Sequence, residues 1–142
     1  MSKFSELLKQ SVASVNEGFE RAQSDVIAVV SELEQSLKEM GPFALRFSLF
    51  SNEADGAIFR LIFDTNPQDL EAPAITILTM KIPSIGYPIF TGTYNKGAAE
   101  FRNGTALEDK AQLDGYFESM LSDPTSRFIQ AVGFALRKIE GV

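Results

Sequence analysis

Cysteine, histidine and tryptophan are all missing from these 142 residues. Without cysteine there is no disulfide framework, no thiol nucleophile and no thiolate metal ligand. Without histidine there is no Ser–His or Cys–His catalysis, no imidazole-bound zinc and no ordinary switch near neutral pH. Any chemistry must rest on carboxylates, Lys, Tyr or a hard cation. No Lys/Arg run occurs, and the net charge of −6 is spread along the chain, so phosphate-tracking and anionic-membrane surfaces are not expected. No stretch approaches the roughly 20 apolar residues of a membrane span. The opening residues lack the apolar run of a signal peptide, which predicts a cytoplasmic protein.

What the chain does have is a hydrophobic content of 44% and 12 Phe, enough for a real core in one domain covering residues 1–142. Residues 4–40 read as helix. Leu8, Val12, Val15, Phe19, Ala22, Val26, Val29 and Leu33 recur in an alternating four–three rhythm, an a/d register held for about four heptads. Ser2 is the expected N-cap, Ser5 the alternative, and Gly41-Pro42 the stop. Such a helix would be about 54 Å long, against a diameter of roughly 35–40 Å for a compact domain of this length. It must therefore break, near Gly18 or Ser24-Asp25, or overhang and pack on another chain, making a homodimer through the 8–33 seam.

Strands follow. In 43–50, Phe43, Leu45, Phe47 and Leu49 alternate with Ala44, Arg46 and Ser48; in 57–63, Ala57, Phe59, Leu61 and Phe63 alternate with Ile58, Arg60 and Ile62. Further strands are expected over 75–82 and 87–94, the latter at an edge because Pro88 cannot donate to a ladder. After a turn at Asn95-Lys96-Gly97, residues 98–102 form a short fifth strand that Asn103-Gly104 ends. Thr105 and Glu108 have the spacing of a capping box for a helix over 106–121. Asp123-Pro124 then starts a last helix with Phe128, Val132, Ala135, Leu136 and Ile139 as its stripe. The pattern is α+β: a long helix, an antiparallel meander of four or five strands, and two C-terminal helices covering one face.

Several motifs were weighed for chemistry. Gly92 to Gly97 has phosphate-loop spacing, but Ala98 and Ala99 stand where Lys and Ser/Thr are needed, and a strand rather than a helix follows. The oxygen-rich run from Asp64 to Glu71 lacks the Gly and Glu of a calcium loop, and Asn103-Gly104-Thr105 reads as a turn rather than a glycosylation site. The carboxylates of Asp114 and Glu118 share a helix face, best read as solvated. No nucleophile–base constellation and no cofactor motif is legible. A minimal carboxylate enzyme is the weakest reading.

The reading that fits best is a non-enzymatic binding protein, a chaperone, adaptor or inhibitor that takes a protein or peptide partner. Residues 82–94 are its expected surface, with Ile85, Tyr87 and Phe90 as contacts, because an exposed sheet edge accepts an extended peptide through main-chain hydrogen bonds. The alternative is a small-ligand pocket between sheet and helices, rimmed by Tyr87, Tyr94, Arg46 and Arg60, where the guanidinium forks would hold an anionic group.

Overall fold

The computed structural model describes residues 2–95 and 100–141. The elements run α1 (Lys3–Lys38), β1 (Ala44–Glu53), β2 (Gly56–Asp64), β3 (Ala74–Pro83), β4 (Ile89–Asn95), β5 (Glu100–Leu107), α2 (Lys110–Ser122) and α3 (Arg127–Ile139). The expected α+β order is therefore present. The five strands lie in chain order, β1-β2-β3-β4-β5, every neighbouring pair antiparallel.

Helix α1 is continuous through Gly18 and Ser24-Asp25. Ser2 caps it, its hydroxyl accepting the Ser5 amide at 3.2 Å. The Gly41 amide returns to the Leu37 carbonyl at 3.2 Å, and Pro42 follows. Only the second half of the helix is anchored: Ala22, Val26, Val30, Leu33 and Leu37 are buried against the sheet. The first half extends past the body, as a length of about 54 Å requires.

The core fills one sheet face. Phe43 meets Phe63 edge-on at 5.3 Å, Phe63 lies 6.0 Å from Phe128 on α3, and Phe47 stacks on Phe59 at 4.4 Å. Phenylalanine carries this core because each ring buries a large apolar area, about 2–3 kcal/mol per side chain by area. Ala57, Phe59, Leu61 and Phe63 are all buried, as their alternation predicts. Two register shifts modify the pattern. The one between Leu49 and Ser51 leaves Phe50 on the opposite face, beside Arg60. The one between Leu61 and Ile62 lets Ile77 and Leu78 both enter the core.

Four boundaries differ from the sequence reading. β4 lies between β3 and β5 rather than at an edge, because Pro88 falls in the preceding connection, where no ladder amide is required. Asn103-Gly104 does not end the sheet: β5 continues to Leu107, and a register shift opposite Phe90 and Gly92 absorbs the extra residue. Asp109, not Thr105, caps α2, accepting the Gln112 amide at 2.9 Å while the Gln112 side chain accepts the Glu108 amide at 2.8 Å. Ser126, not Asp123, caps α3. The Asp123 carboxylate instead accepts the Thr125 amide and hydroxyl, closing a tight turn. Ser126 also donates to the Met120 carbonyl at 2.8 Å, tying α2 to α3. Of the expected turn at 95–97 and strand at 98–102, residues 96–99 lie outside the described residues.

Candidate functional site: a groove between three helices

The connection Ser84–Pro88 leaves β3 and docks on α1. Gly18 and Gly86 allow this. A Cβ on Gly18 would overlap the Ile85 carbonyl oxygen, and one on Gly86, at φ +98°, would overlap the Gly18 carbonyl. Tyr87 lies half-buried against the core, and its hydroxyl donates to the Asp25 carboxylate at 2.7 Å. Burial and the nearby charges of Asp25, Asp114 and Asp109 hold its phenol well above the ordinary tyrosine range. The Tyr87–Pro88 peptide bond is cis.

The six residues singled out in the sequence do not form one site. Ile85 is exposed beside α1, and Tyr87 points back towards it. Phe90, Arg60 and Tyr94 lie on the opposite sheet face. There the Phe50 ring meets Tyr94 edge-on at 4.8 Å and carries the Arg60 guanidinium 3.7 Å above it. A β1 ring reaching a β4 ring means that the sheet coils towards this face, since three strand spacings span about 14 Å when flat. The cluster covers Ile58, which is fully buried although no helix lies on that side. Arg46 stands apart, paired with Asp64 at 2.7 Å through two hydrogen bonds that hold its guanidinium above its ordinary range. Both arginines are thus engaged within the chain, one by a carboxylate and one by a ring.

The largest concavity among the described residues lies elsewhere, between α1, α2 and α3, with a volume of about 510 Å³. Its floor is apolar: Val29, Leu33 and Leu37 from α1, Phe117 from α2, Phe128 and Val132 from α3. Met40 and Leu121, both exposed, extend that surface to the lip. The rim is acidic. Glu32 stands on one side, Asp114 and Glu118 on the other, with Lys110 as the cation between them. Lys110 donates to Asp114 at 3.1 Å, and that bond, helped by the charges of Asp25 and Glu32, holds its ammonium above the ordinary lysine range. Three carboxylates to one ammonium leave the mouth negative.

The walls follow from helix periodicity. Val29, Leu33 and Leu37 line one stripe of α1 at i, i+4 and i+8, while Glu32 projects from the next stripe. Phe117 and Leu121 on α2 stand in the same i, i+4 relation, with Glu118 one residue round the helix. Sequence reasoning assigned the apolar stripes to the core and Asp114 and Glu118 to a solvated face. The signal that separates a groove from a closed core is the pair Met40 and Leu121, apolar residues at two helix ends that nothing in the chain covers.

Elsewhere the described residues hold no group of three or more acidic side chains arranged to bind a metal ion, and no helix long and apolar enough to cross a membrane. Comparison with protein-family models, curated proteins and solved structures finds no match to this chain.

Proposed function

We propose that the protein is a non-enzymatic binding module that takes an amphipathic, basic helix of a partner protein in the groove between α1, α2 and α3. The observation that carries this reading is the pairing of an apolar floor with a carboxylate rim in a trough bounded by helices. A helix laid in such a trough buries its i, i+3, i+4 and i+7 side chains, and lysines or arginines flanking that stripe meet Glu32 and Glu118. The floor supplies affinity through desolvation; the rim selects the sign of charge and speeds encounter. An adaptor, an inhibitor or a holding chaperone would each work through this contact. A chain without cysteine fits the reducing cytoplasm, where we place the activity.

The test uses two designed amphipathic peptides of about 18 residues, one of Leu and Lys, the other of Leu and Glu, each labelled for fluorescence anisotropy. The Leu/Lys peptide is expected to bind at least roughly tenfold more tightly, a difference of about 1.4 kcal/mol. Val29→Asp should abolish binding through the floor, and Glu118→Lys should narrow the preference between the peptides. Equal binding of both peptides, or Leu/Lys binding that survives Val29→Asp, rejects the proposal.

A further inference from the structure

The amino-terminal half of α1 carries a second unpartnered surface, separate from the groove. Phe4 is 76% exposed, Leu8 64% and Val12 56%, with Leu7 beside them. These side chains are not scattered. They continue the helix face that carries Phe19, Ala22 and Val26, the last two fully buried under the chain's own sheet. The face that builds the core thus runs on, uncovered, for about four turns beyond the body.

We propose that residues 4–19 of α1 pair antiparallel with the same segment of a second copy of this chain. Reversing the segment about its midpoint sets Phe4 against Phe19, Leu8 against Val15, and Val12 beside Ser11. Each large side chain at the free end then meets an apolar partner near the body. Charge agrees with this direction. Lys3 and Lys9 outnumber Glu6 in the outer turns, whereas Glu17 and Glu20 lie nearer the body, so antiparallel pairing brings opposite signs together and parallel pairing brings like signs together.

Two features of the fold fix the arrangement. The seam cannot run on through the whole 8–33 register, because Ala22 and Val26 are enclosed in their own core and the connection Ser84–Pro88 occupies the helix surface at Gly18. Nor can the arms pair in parallel. From Phe19 onward the seam face is covered by sheet, so a parallel pair would drive both bodies into one space. The antiparallel pair sets the bodies at opposite ends of a two-fold contact. It also brings Ile85, 64% exposed on the connection packed against Gly18, next to the partner's first helical turn.

Because the chain has no cysteine, introduced thiols are the only ones present. Light scattering after size exclusion should give twice the chain mass. Leu8→Glu combined with Val12→Glu should halve it while leaving the circular dichroism folded, since both positions lie outside the core. Mild oxidation should cross-link Leu8→Cys chains to Val15→Cys chains, but neither variant to itself. A native chain of monomer mass overturns the proposal, including one that sediments with vesicles of anionic phospholipid instead. So does a dimer that survives the two glutamates, or self-linking of Leu8→Cys, which would mean parallel arms.

Discussion

At the scale of single residues, Tyr87 shows how one polar atom ties a loop to a helix. Its ring adds to the core while its hydroxyl satisfies Asp25. Tyr87→Phe keeps the ring and removes the bond. The expected loss is about 1 kcal/mol, modest for a bond to a charged acceptor because both groups keep some contact with water. The pH dependence has a definite sign. Folding favours the neutral phenol, so the folded-state pKa lies above the unfolded one, near 10. The contribution is fully present below pH of about 10 and fades as pH rises from there towards the folded-state value. Urea midpoints should therefore differ between the two proteins by a constant amount near neutrality and converge in alkali; a gap that widens above pH of about 10 contradicts this account. The reach of sequence reasoning is also clear at this scale. The alternation of Ala57, Phe59, Leu61 and Phe63 states their burial without ambiguity. The alternation around Leu49 and Phe50 does not, because a one-residue register shift leaves no mark in hydrophobicity, yet it sends Phe50 to the other face.

At the scale of elements, close approach decides where α1 and the β3–β4 connection meet. Gly18 sits inside a helix, where alanine is intrinsically better by about 1 kcal/mol. Here the added methyl would strike the backbone of Ile85, which cannot turn aside as a side chain can. Overpacking of this kind costs about 1–3 kcal/mol. Gly18→Ala should therefore destabilise the protein by up to about 2 kcal/mol in denaturant titration, opposite in sign to the propensity argument. A more stable variant would show that the connection is free to lift. The long helix, its cap at Ser2 and its stop at Gly41-Pro42 were legible because these signals are local. The start of α2 was misread because Thr105-x-x-Glu108 and Asp109-x-x-Gln112 both have capping-box form, and strand pairing of β5 with β4 decides between them. The glycine pair was noticed only as punctuation, since nothing in a sequence says that Gly18 and Gly86 face each other.

At the scale of the whole molecule, the groove and the free arm share one cause. A single helix too long for its sheet must leave part of its apolar face uncovered, and three helices on one sheet face leave a trough where they diverge. The first consequence follows from length and was legible; the second depends on how helices are spaced across the sheet and was not. The two surfaces lie on different halves of α1, so losing one should leave the other measurable.

The strand order holds a further consequence, for kinetics. Every strand pairs with its neighbour in the chain, so the sheet can zip up one hairpin at a time with short loops to close. Helix α1 leaves the ribosome first yet packs on strands made later, and it gains its anchoring only when β1 to β3 exist to receive Val26, Val30 and Leu33. A hairpin nucleus with late helix docking is the expected order. Phe59→Leu in β2 should then slow refolding, while Leu33→Ala in α1 should chiefly speed unfolding, a difference that stopped-flow chevrons of the two variants would resolve.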